Sequence, residues 1–258
     1  MTRKALLLAI DTATRFAGLA LYDGDIIRAE KYWLSHDNHS VELMPALVDM
    51  LAQQGFAPAD LAAVGVTIGP GSFTGLRIGL SVAKGLALAN RLVILGIPTL
   101  DVQALVAVQR MRDLPKPRDE QGNPIENQPE LPGIDRILSY YPTGQRRPII
   151  SVIPAGRNRF CAARYEYRRG QWQRRGRMQL VTLDGLIELI DVRCLICGEL
   201  SQEEIDNLAA HVDPSVVFAS PSQAMRRPSC LAELAWQRFI RGEQDDLANL
   251  APIYLKTP

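Results

Sequence analysis

The segment that most constrains the fold is a short run of glycines and small polar residues between two regular stretches. Gly69-Pro70-Gly71-Ser72-Phe73-Thr74-Gly75 follows an apolar, partly β-branched run over residues 61–68, which is typical of a buried strand. Residues 75–87 then continue with helical spacing. A glycine-rich turn from a buried strand into a helix is typical of α/β proteins, so the sequence predicts an α/β fold.

The periodicity of the remaining sequence predicts two lobes with the same order of elements. Residues 1–110 are predicted to run β-β-β-α-β-α-β-α, with Ser40 as the N-cap of the first helix, and residues 149–220 to run β-β-β-α-β-α-β. Residues 111–148 contain seven prolines and indicate a linker or insertion. Residues 221–258 are predicted to form one helix, from about Ser222 to Arg241, and a tail that packs back on the first lobe.

Composition indicates a globular protein of the cytoplasm. The chain has 258 residues, 47% of them hydrophobic and 22% charged, and a mean hydropathy near zero. The apolar run at residues 5–10 is too short for a signal sequence or a membrane span, and we expect no membrane association. Four cysteines at this chain length do not indicate a secreted disulfide framework.

The glycine-rich turn leaves two interpretations open, a phosphate cradle at a helix N-terminus and a structural turn that begins an interface helix. The Gly-Lys-Ser/Thr ending of a P-loop is absent and Pro70 lacks a donor, which favours the second. Small residues recur on one face of this helix at Gly75, Gly79, Ala83 and Ala87. Glycine costs a helix about 1 kcal/mol relative to alanine, and close approach by another helix would offset that cost. The pattern therefore indicates such an approach. Arg77 is a candidate for contact with a partner's carboxylate or a phosphate. The candidate interface comprises Gly69, Pro70, Gly71, Ser72, Phe73, Thr74, Gly75, Leu76, Arg77, Gly79 and Ala83.

The sequence contains three further groups of candidate site residues, and each lacks a partner that its chemistry would require. Asp11 ends the first predicted strand and, with Thr12, is a candidate to face a nucleotide, but residues 153–156 offer no matching acid, so we expect no nucleotide hydrolysis. His36 and His39 lack a third ligand, and we expect no metal site. Cys194 and Cys197 fall in an apolar strand and are expected to be buried and inert.

Positive charge is concentrated in the second lobe. Residues 136–177 contain eleven arginines, no lysine and one acid, Glu166, whereas the whole chain has a net charge of +1. Four arginines, Arg168, Arg169, Arg174 and Arg175, surround a predicted hairpin with interleaved aromatic residues. Contact with an RNA backbone and a solvated or protein-binding surface are both open interpretations.

Four stretches together resemble the TsaB (YeaZ) family of bacterial tRNA threonylcarbamoyladenosine synthesis. These are Ala9-Ile10-Asp11-Thr12-Ala13-Thr14, residues 35–40, residues 69–79, and Pro252-Ile253-Tyr254-Leu255. The resemblance covers residues 5–110 best. The second lobe departs from it, since residues 153–159 replace the Asp-Ala-Arg motif that the family often has there.

The resemblance implies a two-lobed actin/Hsp70/sugar-kinase-like fold, in which each lobe is a mixed sheet with flanking helices. It also implies a protein without catalytic residues of its own that pairs with a TsaD-like transferase and a TsaE-like ATPase and reaches tRNA through that complex. A homodimer is expected when the protein is alone. No cofactor is expected, and ATP or ADP is a candidate ligand only within the complex. The alternative is a free-standing ATPase or kinase of the same fold.

Overall fold

The structure, a computed structural model, describes residues 5–36, 38–111, 147–190 and 193–255. Nearly all of the predicted insertion at 111–148 lies outside the described residues. The chain forms two compact units: unit 1 comprises Met1–Val102 and Arg226–Tyr254, and unit 2 comprises Gln103–Met225 and Leu255–Pro258. The division falls inside a helix, α3 (Thr99–Met111), and therefore earlier than the predicted lobe boundary at residue 110.

Unit 1 is built on a five-stranded mixed sheet. Its strands are β1 (Leu7–Asp11), β2 (Phe16–Tyr22), β3 (Ile27–Leu34), β4 (Ala63–Gly69) and β5 (Val93–Pro98), in the order β3-β2-β1-β4-β5. The first three form an antiparallel meander, and β4 and β5 run parallel to β1. The central strand β1 is buried along its whole length because the residues on both of its faces are apolar up to Asp11.

Helices cover both faces of this sheet. Helices α1 (His39–Gln53) and α2 (Phe73–Asn90) pack on the face that carries Leu8 and Ile10, and a short 3-10 helix, Pro58–Asp60, lies between them in the sequence. A helix near the C-terminal end of the chain, Pro228–Ile240, packs against β1, β2, β4 and β5. Its close approach requires glycine at position 65, where a Cβ atom would lie 2.5 Å from the Cβ of Ala235.

Unit 2 repeats the same topology. Its strands are β6 (Ile149–Pro154), β7 (Arg159–Arg168), β8 (Gln171–Thr182), β9 (Leu195–Gly198) and β10 (Val217–Phe218), in the order β10-β9-β6-β7-β8. Its helices are α4 (Leu183–Leu189), α5 (Gln202–His211) and α6 (Pro221–Ala224). Two mixed sheets, each opening with an antiparallel meander and flanked by helices, confirm the predicted fold class.

The chain departs from the predicted elements at two helix ends. The single helix expected from Ser222 to Arg241 is two helices, α6 and α7 (Pro228–Ile240), because Pro228 lacks an N–H donor and occupies the first turn of α7. Ser40 is not the N-cap of α1. The helix begins at His39, whose buried Nε2 lies 2.9 Å from the carbonyl oxygen of Thr14, and Asn38 occupies the cap position.

Candidate functional site

The glycine-rich turn is packed against the segment that follows β1. The Ser72 amide donates to the carbonyl oxygen of Ala13 at 2.7 Å, and the Ser72 hydroxyl accepts from the Gly75 amide at 3.2 Å. A Cβ atom at Gly71 would lie 2.2 Å from the same Ala13 oxygen. These amides are directed at the protein's own atoms, so the geometry favours the structural turn over the phosphate cradle.

The two glycines of the small-residue stripe do not meet another helix, contrary to the prediction. The stripe residues of α2 (Gly75, Gly79, Ala83 and Ala87) are buried, as is Leu76. A Cβ atom would lie 2.2 Å from the Thr12 carbonyl oxygen at Gly75 and 2.2 Å from Thr12 Oγ1 at Gly79. Thr12 Oγ1 also donates to the carbonyl oxygen of Gly75 at 2.8 Å. The close neighbour of these glycines is therefore the end of β1 in the same unit.

The exposed residues at the start of α2 form an aromatic and cationic cluster with the tail. The Arg77 guanidinium lies 3.7 Å from the centroid of the Phe73 ring, and its Nε donates to Tyr254 Oη at 3.1 Å. The Phe73 and Tyr254 rings are 5.2 Å apart between centroids. Arg77 is thus held in one orientation by the protein itself. Sequence reasoning identified Phe73 and Arg77 and missed Tyr254 as their neighbour.

The outer face of α1 and α2 is apolar and open. Val41, Met44 and Val48 recur at helical spacing on α1 and are 67%, 42% and 55% exposed. Beside them lies a groove of about 400 Å³, lined by Ser40, Phe73, Thr74, Arg77, Ile78, Ser81 and Val82. We call the three α1 residues and this groove the α1–α2 face. It contains three exposed members of the predicted interface, Phe73, Thr74 and Arg77, and lacks the exposed Ser72 and the buried members.

The end of β1 carries a buried ion pair. Arg226, 1% exposed, donates through Nε to Asp11 Oδ2 at 2.9 Å and through a second nitrogen to Thr14 Oγ1 at 3.0 Å. Asp11 Oδ1 accepts from Thr67 Oγ1 at 3.1 Å and from the Ala13 amide at 3.0 Å. The structure therefore does not present Asp11 to a nucleotide, since its charge is balanced and both oxygens are bonded within unit 1. Thr12 is also fully buried.

His39 and the four cysteines lie buried in the fold. His39 bonds to Thr14 as described above, and within residues 5–36, 38–111, 147–190 and 193–255 no three metal-ligating side chains of His, Cys, Asp or Glu are grouped. All four cysteines are buried and none is in a disulfide. Burial raises the pKa of the Cys161 thiol to about 11, which keeps it protonated and unreactive at neutral pH.

The predicted basic hairpin is formed by β7 and β8 in unit 2. Arg168, Arg169, Arg174 and Arg175 are all exposed. Glu166 pairs with Arg168 at 2.9 Å and with Arg164 at 2.9 Å, and the hydrogen bond from Arg164 lowers the pKa of the Glu166 carboxyl despite its partial burial. None of the described helices, in either unit, is long and apolar enough to cross a membrane.

The two sheets define an α/β protein of two units, each a mixed sheet that opens with an antiparallel meander and is flanked by helices. Among solved structures, YeaZ from Pseudomonas aeruginosa has this fold: it superimposes with a TM-score of 0.71 at 21% sequence identity, covering 97% of this chain and 100% of that one.

At the sequence level, the chain is similar to TsaB proteins. It is 39% identical over 98 residues to the tRNA threonylcarbamoyladenosine biosynthesis protein TsaB of Escherichia coli, which covers 38% of this chain and 42% of that protein. It is 41% identical over 98 residues to TsaB of Bacillus subtilis, covering 38% and 43%. The chain thus matches less than half the length of these two relatives. A family model described as TsaD, tRNA N6-adenosine threonylcarbamoyltransferase, matches residues 33–117. The predicted resemblance to the TsaB (YeaZ) family is confirmed.

Proposed function

We propose that this protein acts in tRNA threonylcarbamoyladenosine biosynthesis, in the cytoplasm, as a non-catalytic partner of a TsaD-like transferase. The similarity of 98 residues of the chain to TsaB proteins supports the pathway. The observation that carries the partner role is the α1–α2 face, with its exposed valines and methionine and its open groove. In this proposal a TsaE-like ATPase and tRNA join the same complex.

The chemistry of the α1–α2 face fits protein docking. Exposed apolar side chains at helical spacing gain roughly 25 cal/mol per Å² when a partner covers them. Phe73, Arg77 and Tyr254 belong to the residue types that dominate binding energies, and their mutual contacts order them before a partner arrives. Without the transferase, two copies of the chain would cover the same face, so the proposal includes a homodimer.

The ion pair of Asp11 with Arg226 favours a partner over a self-sufficient enzyme. A carboxylate that binds a metal–nucleotide must be open to it, and both oxygens of Asp11 are bonded within unit 1. Any ATP or ADP would then bind only within the complex. The alternative, a free-standing ATPase or kinase, requires Asp11 to be released from Arg226.

Co-purification with a TsaD-like transferase tests the docking role. Val48→Lys places a charge at the C-terminal end of the exposed α1 stripe and should lower the affinity at least tenfold, because a buried unpaired charge is costly. Leu88→Lys is the matched control, since Leu88 is 74% exposed on α2 and does not line the groove. Val48→Lys should also shift the free protein from dimer to monomer in size-exclusion chromatography.

Two results would contradict the proposal. Equal retention of the transferase by both variants would show that the α1–α2 face is not the docking surface. ATP turnover by the purified protein alone would favour the free-standing enzyme.

A further inference from the structure

The β7–β8 hairpin places like charges opposite one another. Arg164 and Arg175 are direct cross-strand partners, and such pairs of equal charge destabilise a sheet. Glu166 is the one acid among residues 164–177, against six arginines, and its two oxygens already accept from Arg164 and Arg168. One carboxylate cannot neutralise this charge, so the hairpin keeps a net positive surface.

Two backbone features interrupt the regular hairpin beside these arginines. The turn residue Arg169 has a φ of 51°, in the left-handed region that such two-residue turns usually fill with asparagine or glycine. In β8 the pairing passes from Arg175 opposite Arg164 to Gln179 opposite Ala162, so residues 176–178 form a bulge that includes Gly176, with a φ of 77°. An arginine in a strained turn position is not explained by hairpin stability.

We propose that this basic hairpin, residues 164–177, binds the phosphodiester backbone of RNA. The strand β8 lies at the edge of its sheet, and its arginines Arg174, Arg175 and Arg177 are exposed there. Every positive charge in this segment is arginine, whose planar guanidinium matches two phosphate oxygens at once. Tyr167 and Trp172, paired edge to face at 5.8 Å, add aromatic rings beside the charges.

An acidic protein surface is the competing partner for such a hairpin. The aromatic pair and the exclusive use of arginine favour RNA, because base stacking and bidentate phosphate contact use both features. The identity of the RNA as tRNA rests on the proposed function, whereas binding of an RNA backbone rests on the hairpin alone.

The test measures tRNA binding to the isolated full chain by fluorescence anisotropy at several KCl concentrations. Each lost phosphate contact should reduce the slope of log K against log salt by about 0.7 to 0.9. The double variant Arg174→Gln/Arg175→Gln should therefore reduce the slope by about 1.4 to 1.8 and weaken binding on the order of tenfold at moderate salt. The matched control, Lys31→Gln/Arg91→Gln, removes the same charge from exposed positions of unit 1 and should leave the slope unchanged.

Three outcomes would overturn the RNA proposal: no measurable binding by the wild type, equal changes in both double variants, or displacement of tRNA by poly-glutamate at equal charge concentration. The last result would assign the hairpin to an acidic protein. Thermal unfolding of each variant checks that the fold is intact. Because no transferase is present, failure of the docking proposal leaves this measurement unaffected, and co-purification with the transferase should not distinguish the hairpin variant from wild type.

Discussion

Substitution of Gly79 by alanine tests the packing of α2 on β1 directly. The added methyl carbon would lie 2.2 Å from Thr12 Oγ1, which cannot withdraw without losing its 2.8 Å hydrogen bond to the Gly75 carbonyl oxygen. Overpacking of this kind costs about 1 to 3 kcal/mol, and a lost hydrogen bond about 1 kcal/mol. Alanine recovers about 1 kcal/mol of helix propensity. We expect Gly79→Ala to lower the free energy of unfolding by about 1 to 3 kcal/mol.

A second glycine of the same helix provides the control. No atom lies within 4 Å of a Cβ placed at Gly85, so Gly85→Ala should stabilise the protein by up to about 1 kcal/mol. Thr12→Ala removes the obstructing hydroxyl, and its combination with Gly79→Ala should cost less than the sum of the two single variants. A favourable coupling energy of about 1 kcal/mol or more would locate the clash at Thr12.

Urea unfolding followed by far-UV circular dichroism measures these differences. If Gly79→Ala were as stable as Gly85→Ala, the contact with Thr12 would be refuted. A surface position for Gly79, open to a second helix, would then be the better interpretation, and the variant should fail in docking and not in stability.

Three further predictions concern buried or partly buried ionisable side chains. Arg226→Leu leaves Asp11 buried without its cation and should cost about 3 to 5 kcal/mol in urea unfolding, whereas the exposed Arg227→Leu should cost about 1 kcal/mol or less. Burial alone would raise the pKa of Asp245, but hydrogen bonds from Arg238 and the Gly96 amide lower it. Its stabilisation is therefore present above the usual value near 3.9 and is lost as pH falls through the lower folded value, so the stability difference between wild type and Asp245→Asn should shrink below about pH 4. A thiol reagent at pH 8 should label Cys161 only after unfolding, and rapid labelling of the native protein would contradict its burial.

The sequence predicted those parts of the fold that depend on local pattern. Alternating and continuous apolar runs located the strands, and the glycine-rich turn located the start of α2. The small-residue periodicity of Gly75 and Gly79 correctly indicated a close neighbour and could not say which one, because periodicity defines a face and not the atoms beyond it. Proline at position 228 was the available signal for the break between α6 and α7.

The candidate site was less accessible to sequence reasoning because its contacts join distant residues. Asp11 and Arg226 are 215 positions apart, and Arg77 and Tyr254 are 177 positions apart, so no local spacing connects either pair. The exposure of Val41, Met44 and Val48 was also hidden, since an apolar stripe usually marks the buried face of a helix. Only the tertiary fold distinguishes this exposed stripe from a buried one.

The position of α7 on the first sheet has a consequence for the order in which the protein is made. The strands β1 to β5 leave the ribosome early, but the helix that covers one face of their sheet follows only after Gln103–Met225, the main segment of unit 2. During that interval Leu7, Ala9 and the glycine at position 65 have no covering layer, and the growing chain carries a sheet with one apolar face in water. We therefore expect this protein to need a chaperone most during the interval in which unit 2 is synthesised.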